Sequence, residues 1–343
     1  MDNKITLVGK NIEQLETFML GNNQTKYRAK QVYNWLYLKS VSSYDAMTDL
    51  PLSARELLKE KTQLCSISIK DKQISKDGTI KYLFKNNDGT FAEAVLMRFD
   101  NRANLTACIS TQVGCPMGCS FCATAKLGFT RNLEVEEIIQ QIFLIQADTG
   151  LKVTNIVYMG QGEPLLNFDN LIKSIKIFRE QFQIGARRIT VSTCGLIPQI
   201  NKLAELDFQS TLAISLHAPN QEKRREIMPV AIKYPFNDLI SCLKKYAETT
   251  GRRVTVEYVL MRGINDSVED AKQLALAISK LKSNVNLIVY NQNEKSEYKK
   301  PSKEAIQKFK YILEASGKKV TIRLERGADI DAACGQLSAK MKK

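Results

Sequence analysis

The fold and chemistry of this chain depend most on one short stretch, Gly114-Cys115-Pro116-Met117-Gly118-Cys119-Ser120-Phe121-Cys122. Three thiolates at this C-x3-C-x2-C spacing can bind three irons of a four-iron cluster and leave the fourth iron free. A structural zinc site normally has four protein ligands in two Cys or His pairs, and the chain has no second pair. The spacing therefore favours a cluster with one open iron. A zinc site completed by Cys108 or by a distant cysteine remains the alternative.

Around this stretch, from residue 104 onward, the sequence alternates between strand and helix patterns. The predicted strands are Leu105–Ser110, Val153–Met159, Arg188–Ser192, Ser210–Leu216, Val254–Leu260, Val285–Tyr290 and Lys319–Leu324. Repeated βα units form parallel sheets with right-handed crossovers. About six such units predict an α/β fold, a partial (βα)6 TIM-like barrel whose active end is the carboxyl edge of its strands.

The sequence before the barrel has two different patterns. Residues 1–64 show helical periodicity and predict a small helical module. Residues 65–103 alternate, and three strands are predicted at Ser66–Ile74, Thr79–Phe84 and Phe91–Phe99. Lys76-Asp77-Gly78 and Asn87-Asp88-Gly89 are strong hairpin signals between them. We therefore predict an accessory RNA-binding helical domain, a β meander that acts as linker, and a barrel over 104–343.

Composition narrows the class of protein. The 343 residues include 50 Lys and Arg against 36 Asp and Glu, a net charge of +14. This excess predicts a nucleic-acid partner, with a solvated lysine-rich surface as the alternative. Eight cysteines are too few for a disulfide scaffold, and an open cluster needs reducing conditions. The start Met-Asp-Asn-Lys has no apolar signal core, and no stretch approaches roughly 18 apolar residues, so we expect a cytoplasmic protein without a membrane segment.

Polar loops follow several predicted strands at the edge where a barrel places its active site. They are Met159–Pro164, Ser192–Gly195, Ser215–His217 and Tyr290-Asn291. A barrel would bring these loops around one pocket, where glycines allow close backbone approach and Glu163 could bind an ammonium group. His217 is the only histidine, and it is either a ligand contact or a hydrogen-bonded structural residue.

Cys334 stands apart from the other thiols. It lies in the small and polar run Gly327–Leu337, after the last predicted strand, where packing does not require sulfur. Its glycine and acidic neighbours predict a shaped loop at the barrel mouth. The alternative is an exposed cysteine in a C-terminal loop.

The cysteine triplet resembles the signature of radical S-adenosylmethionine (SAM) enzymes. In these enzymes the free iron binds the amino and carboxyl groups of SAM, and an electron from the cluster cleaves SAM to a 5'-deoxyadenosyl radical. Five segments extend the resemblance, over nearly the whole chain, to the RlmN/Cfr family of radical SAM rRNA adenosine methyltransferases: Tyr27–Val32, Cys115–Asn132, Gly162–Asn167, Ser215–Asn220 and Asp329–Leu337. Glu-Pro-Leu-Leu-Asn at 163–167 is more similar to the RlmN members than to the Cfr members.

This resemblance implies methylation of carbon 2 of an adenosine in 23S rRNA and of the tRNA adenosine beside the anticodon. Carbon 2 is electron-poor and has no lone pair, so it cannot attack the methyl group of SAM directly. Methylation of carbon 8, as in Cfr members, and a radical SAM reaction on a non-RNA substrate remain alternatives. The resemblance also implies a [4Fe-4S] cluster, an electron donor such as flavodoxin or ferredoxin, and a monomer.

Specific roles carry over from the family by position. Cys115, Cys119 and Cys122 are the implied cluster ligands, and Cys334 accepts a methyl group from one SAM before a second SAM generates the radical. Glu93 is the implied base that deprotonates carbon 2, and Cys108 the thiol that takes over the Cys334 sulfur as a disulfide. The implied SAM contacts are Gly162, Glu163, Ser192, Ser215, Leu216, His217 and Asn291. Otherwise Glu93 would be a solvent-facing carboxylate and Cys108 a buried strand thiol or metal ligand.

Three positions depart from the family pattern. Gln161 replaces the usual methionine between two glycines, and Cys194 replaces a serine. The run Asn291-Gln292-Asn293-Glu294-Lys295 lacks the usual proline-rich loop. The third departure lies where substrate would be gripped, and it therefore concerns the choice of target more than the chemistry.

Overall fold

A computed structural model describes residues 4–98, 104–291, 297–323 and 325–338. The helices are α1 (Ile12–Leu20), α2 (Lys26–Tyr33), α3 (Leu52–Lys61), α4 (Val135–Thr149), α5 (Phe168–Glu180), α6 (Ile197–Glu205), α7 (Gln221–Ile227), α8 (Val230–Lys233), α9 (Phe236–Thr250), α10 (Val268–Ala277) and α11 (Lys303–Ala315). The strands are β1 (Ile5–Thr6), β2 (Thr62–Gln63), β3 (Ser68–Ile74), β4 (Ile80–Lys85), β5 (Phe91–Arg98), β6 (Leu105–Cys108), β7 (Gln112–Gly114), β8 (Phe129–Asn132), β9 (Asn155–Tyr158), β10 (Ile189–Thr193), β11 (Thr211–Ser215), β12 (Val254–Leu260), β13 (Ser283–Val289) and β14 (Lys319–Arg323).

A ten-stranded sheet organises the chain, in the order β14-β13-β12-β11-β10-β9-β6-β5-β4-β3. From β6 to β14 the neighbours pair in parallel, and a helix-containing connection separates each consecutive pair. The prediction of six βα units in a partial barrel is confirmed. Strand β12 was predicted with its observed bounds because four buried apolar residues, Val254, Val256, Tyr258 and Leu260, recur in it with period two. Leu324, predicted as the end of the last strand, lies outside the described residues.

The β meander belongs to this sheet. Strands β3, β4 and β5 pair antiparallel, and β5 continues onto β6 with Val95 opposite Cys108. Both predicted hairpin turns are confirmed, with Gly78 at φ +79° and Gly89 at φ +82°, where a side chain would be strained. The predicted end of the third strand, Phe99, lies outside the described residues. The three-part domain division stays a prediction. The meander is continuous with the barrel sheet, because β5 pairs with β6.

The N-terminal helices pack onto the outside of the barrel through α4. The side-chain oxygen of Gln140, a fully buried residue of α4, accepts hydrogen bonds from the amides of Ser66 (2.8 Å) and Ile67 (3.2 Å). Its amide group donates to the carbonyl of Val8 at 3.4 Å. The buried side chain of Gln140 thus forms hydrogen bonds with backbone groups near both ends of the helical module.

The barrel helices are amphipathic and cover the sheet with one face. In α9, for example, Leu239, Leu243 and Tyr246 are buried, as 3.6-residue periodicity requires. Of the helices in the described ranges, none combines the length and the apolar character needed to cross a membrane.

Candidate active site

A tight two-stranded hairpin holds the cysteine loop. Strands β7 and β8 pair antiparallel on either side of residues 115–128, and the amide of Cys115 donates to the carbonyl of Gly128 at 2.8 Å. Gly114 has φ +74°, and a Cβ there would lie 2.0 Å from the Gly128 carbonyl oxygen. Only glycine fits this position, so the hairpin sets where the cysteine loop begins.

All three cysteines of the triplet line one cavity at the carboxyl ends of the barrel strands. We call it the cysteine cavity; its other lining residues include Met159, Gly160, Gly162, Glu163, Ser192, Cys194, Ser215, His217, Glu257, Tyr290, Arg323 and Cys334. The glycine loop after β9 lies against the backbone, since a Cβ on Gly160 would be 2.7 Å from the Ile109 carbonyl oxygen. The barrel therefore brings together loops that are distant in sequence, as the strand-end pattern predicted.

The donor chemistry of the cavity fits an iron-sulfur cluster. Within the described ranges, no group of three or more His, Cys, Asp or Glu side chains is arranged to hold a metal ion. Three thiols nevertheless face one cavity, and a four-iron cluster takes its ligands on separate irons. Burial raises the pKa of Cys115 to about 12. A bound metal centre would offset that cost, since it deprotonates a coordinating thiol.

Glu163 ties the loops after β9 and β10 together. Its carboxylate accepts hydrogen bonds from the amides of Leu165 (3.0 Å) and Cys194 (2.8 Å), and its own amide donates to the Gln112 side chain (2.8 Å). Burial raises the pKa of Glu163, and the hydrogen bond from the Cys194 amide opposes that shift. A buried carboxylate at the wall of this cavity is suited to an ammonium group.

Ser192, Ser215 and His217 also line the cysteine cavity, with the two serine oxygens 3.4 Å apart. The Nδ1 atom of His217 accepts a hydrogen bond from the Val259 amide at 3.1 Å, so its Nε2 carries the proton. Burial, followed by the nearby Arg224 charge, lowers the pKa of His217 to about 3. His217 is therefore a neutral imidazole that is both hydrogen-bonded to the barrel and available to a ligand.

Leu216 and Asn291 do not line the cysteine cavity. Leu216 is fully buried and its side chain contributes to the core, so only its backbone is available to a ligand. Asn291 lines the neighbouring cavity, and its buried Oδ1 has no hydrogen-bond partner among the described residues. The altered loop from Gln292 to Lys295 lies outside the described residues.

A second cavity lies beside the first, and we call it the thiol cavity. It is lined by Val95, Met97, Cys108, Cys122, Thr124, Met159, Gly160, Ile288, Val289, Asn291, Arg323, Glu325, Arg326, Ala332, Ala333, Cys334, Gly335 and Leu337. Burial raises the pKa of Cys108 to about 12, with a smaller contribution from the neighbouring Cys334. All eight cysteines lie in described residues and carry free thiols. Cys334 lines both cavities, as does Cys122 of the triplet, so the two cavities are adjacent at these thiols.

The Cys334 loop, residues 327–337, is docked at both ends. Asp329 accepts hydrogen bonds from the Ser75 hydroxyl (2.6 Å) and the Lys76 amide (3.2 Å), both in the first turn of the meander. At the other end, the Ala123 amide of the cysteine loop donates to the Gly335 carbonyl at 2.7 Å. Cys334 is exposed, as the alternative interpretation held, but these contacts hold it at the barrel mouth.

Glu93 lies inside the protein. It is fully buried on β5, with one carboxylate oxygen 3.6 Å from the Lys81 ammonium and the other accepting from the Gln161 side chain at 3.3 Å. The alternative of a solvent-facing carboxylate is wrong. Glu93 lines neither cavity, although Val95, two residues along the strand, lines the thiol cavity. Gln161, a departure from the family pattern, thus contacts the position of the implied base.

Sequence reasoning missed three charged residues near the cavities. Arg323 ends β14 and lines both cavities; its Nη1 lies 3.7 Å from the Glu257 carboxylate. The neighbouring Cys334, followed by Glu257, raises the pKa of Arg323. Its position at a strand's carboxyl end was a usable signal, as was Glu257 within an apolar strand. Arg224, the third residue, is fully buried on α7, and no local sequence signal distinguishes it from the helix's other basic residues.

Comparisons with known proteins agree with this architecture. The family model of the Radical SAM superfamily matches residues 109–275. The crystal structure of a radical SAM methyltransferase from Sphaerobacter thermophilus is similar with a TM-score of 0.92 at 42% identity, covering 98% of this chain and 100% of that one. The barrel and its cysteine loop thus define a radical SAM protein.

The N-terminal residues and full-length relatives narrow the class. The model of the Ribosomal RNA large subunit methyltransferase N-terminal domain matches residues 5–64. Probable dual-specificity RNA methyltransferases RlmN from Alkaliphilus oremlandii and Clostridioides difficile are 46% and 44% identical, covering 98% and 99% of this chain and the same shares of theirs. The chain belongs to the RlmN/Cfr family of radical SAM RNA methyltransferases.

Proposed function

We propose that this chain methylates carbon 2 of an adenosine in 23S rRNA and of the tRNA adenosine beside the anticodon. The observation that carries the proposal is the place of Cys334, which lines both the cavity of the cysteine triplet and the cavity of Cys108. A methyl group on Cys334 would lie between the site where a radical forms and a second thiol. The relatives named dual-specificity RNA methyltransferases support the two RNA substrates.

Cys115, Cys119 and Cys122 would hold a [4Fe-4S] cluster, whose free iron binds SAM. When bound, the cluster and SAM supply the 5'-deoxyadenosyl radical. The proposed SAM contacts are Gly162, Glu163, Ser192, Ser215, Leu216, His217 and Asn291. Glu163 provides a buried carboxylate for the ammonium group and His217 an N–H donor, while Leu216 can offer only backbone atoms.

Cys334 first acts as a nucleophile. Its thiolate takes the methyl group of one SAM by displacement, and Arg323 lines both of the cavities that Cys334 lines. The 5'-deoxyadenosyl radical would take one hydrogen atom from that methyl group and become 5'-deoxyadenosine. The carbon radical left on the Cys334 sulfur then adds to carbon 2 of the adenine. Protein and RNA are then linked through the Cys334 sulfur.

Glu93 and Cys108 would resolve this link. Glu93 takes the proton of carbon 2, and its alternation with Val95 on β5 puts both on one face, the face toward the thiol cavity. Because Glu93 lines neither cavity in this structure, RNA binding must bring the adenine and the carboxylate together. As the proton leaves, the adduct must also lose its unpaired electron, which the oxidised cluster would accept. The Cys108 thiolate then attacks the Cys334 sulfur: the carbon–sulfur bond breaks, its electron pair stays on the former methyl carbon, which takes a proton from water, and a Cys108–Cys334 disulfide remains that an external thiol must reduce. A donor such as flavodoxin or ferredoxin would supply the electron that the cluster needs for SAM cleavage.

The charge of the chain supports an RNA substrate, since a net +14 favours a phosphate backbone and predicts binding that weakens with salt. An adenosine in folded RNA must also leave its stack to enter a barrel mouth. We propose that the chain works on these RNAs as a monomer in the cytoplasm.

The decisive experiment is mass spectrometry of nucleosides from 23S rRNA and tRNA treated anaerobically with reconstituted protein, SAM and reductant. We expect 2-methyladenosine from both RNAs, and none with Cys334→Ala, which keeps the cluster ligands. A product that co-elutes with 8-methyladenosine would instead establish the Cfr-like reaction. Colourless protein that holds stoichiometric zinc and releases no 5'-deoxyadenosine would refute the radical mechanism.

A further inference from the structure

Arg224 is a fully buried cation on α7 without a carboxylate partner. Its Nη2 donates to the carbonyl of Cys194 at 2.6 Å and its Nε to the carbonyl of Leu216 at 3.2 Å. Its Nη1 is buried without a hydrogen-bond partner, and no Asp or Glu in the described residues forms an ion pair with it. By contrast Arg323, which lines both cavities, lies 3.7 Å from the Glu257 carboxylate.

A guanidinium in this position is costly. A buried charge without a counter-charge loses hydration free energy that hydrogen bonds to carbonyl groups only partly replace. Arginine cannot escape by losing its proton. No carboxylate of the described residues lies within ion-pair distance of Arg224, so a nearby counter-charge must come from a bound group.

The surroundings of Arg224 indicate where that anion lies. The two carbonyls it holds belong to the loops after β10 and β11, which line the cysteine cavity through Cys194 and His217. Helix α7 also docks the cysteine loop directly, because the amide and hydroxyl of Ser120 both donate to the Ile227 carbonyl, at 3.0 and 3.3 Å.

Arg224 acts through this wall rather than by contact. Arg224 is not among the residues that line either cavity. A ligand in the cysteine cavity would therefore interact with its charge electrostatically, without a direct hydrogen bond to the guanidinium. A cluster held by three thiolates carries negative charge, and reduction adds one more. A fixed positive charge in a poorly solvated wall stabilises the more negative, reduced state most.

We propose that Arg224 is a positioning residue for the cluster: it supplies the buried counter-charge and raises the cluster's reduction potential. The inference rests on the proposed cluster at Cys115, Cys119 and Cys122, and it is independent of the RNA substrate. It also explains why Arg224 is the one charged residue of α7 that is fully buried.

The test is a redox titration of the reconstituted cluster, followed by electron paramagnetic resonance, without RNA. For Arg224→Met we expect the reduced-to-oxidised ratio at a fixed potential to fall at least tenfold, a midpoint lower by about 59 mV for one electron. Arg224→Lys should stay within about threefold of the unmodified protein, since lysine beside an anion keeps its charge. The matched control is Arg225→Met, the same change at the exposed next residue of α7, and it should leave the ratio unchanged.

An unchanged midpoint in Arg224→Met would overturn the proposal. So would an unchanged midpoint combined with weaker SAM binding, because Arg224 would then be a ligand contact. If Arg224→Met fails to load iron, Arg224→Lys decides: loading with a normal midpoint supports the counter-charge, and failure to load overturns it. If the unmodified protein itself loads no iron, the cluster proposal fails and this inference with it, whereas a failure confined to Arg224 leaves the proposed function intact.

Discussion

The two cavities share seven lining residues, among them Cys122, Arg323 and Cys334, but they are built in different ways. The cysteine cavity is formed mainly by loops that follow consecutive strands of one parallel sheet. The thiol cavity needs β5, β6 and the Cys334 loop, which the Ser75–Asp329 hydrogen bond docks across 254 residues of sequence. Barrel topology thus positions the first cavity, and docking of a C-terminal loop onto the meander positions the second.

This difference separates two kinds of failure. A change in the cysteine cavity should remove the radical itself and with it every later step. A change in the thiol cavity or in the docking of the Cys334 loop should leave SAM cleavage intact and alter either the transfer of the methyl group to Cys334 or its later release to RNA. Three substitutions, in order of decreasing effect, test this separation.

Cys115→Ala should have the largest effect. We expect iron content, 5'-deoxyadenosine release and RNA methylation all to fall to background. The two remaining thiolates cannot retain a four-iron cluster with one iron available to SAM. The chain should stay folded, since the ligand is on a loop, with a stability loss of about 1 kcal/mol. Iron analysis, product assay and thermal unfolding measure these quantities. Cys242→Ala, a buried thiol on α9, is the control and should load iron normally; full SAM cleavage by Cys115→Ala would exclude the assignment.

Cys108→Ala should stop turnover at a later step. The variant should load iron, methylate Cys334 and form the link to RNA, but fail to release product. The expected result is an RNA-sized mobility shift that survives denaturation, with the link mapped to Cys334 and little free methylated adenosine.

Two other outcomes are distinct. Near-normal turnover of Cys108→Ala, with a stability loss of about 1 kcal/mol, would make Cys108 a packing thiol of the sheet. Loss of the cluster would make it a metal ligand. Either result would remove Cys108 from the proposed mechanism.

Asp329→Ala should have the smallest effect. It removes two hydrogen bonds between the Cys334 loop and the meander turn, so the docked loop becomes less populated. We expect methylation of Cys334 to slow by about three- to tenfold, with iron content and 5'-deoxyadenosine release unchanged. Intact-protein mass spectrometry after incubation with SAM measures the rate. The control is Asp71→Ala, a substitution of an exposed residue on β3 of the same meander, and it should leave the rate of Cys334 methylation unaltered. Equal slowing in both variants would show that the Asp329 hydrogen bonds do not dock the Cys334 loop.

Much of the fold followed from local pattern. Alternation in β12, the turn glycines Gly78 and Gly89, and the succession of strands and helices predicted the sheet because each signal depends on neighbouring residues. The cysteine cavity was predictable for a related reason. Its ligands share one loop, and parallel strands bring their carboxyl ends to one edge.

The sequence by itself therefore determined the barrel, the cysteine loop and the polar loops at the strand ends. Only the tertiary structure decided the surroundings of three residues. Glu93 is buried beside Lys81, Cys334 lines both cavities, and Arg224 is buried without an ion-pair partner among the described residues. The physical reason is that the electrostatic cost and partner of a charged side chain depend on its surroundings in three dimensions. The local sequence around a lysine or an arginine does not reveal whether its side chain is exposed to water or buried behind a cavity wall.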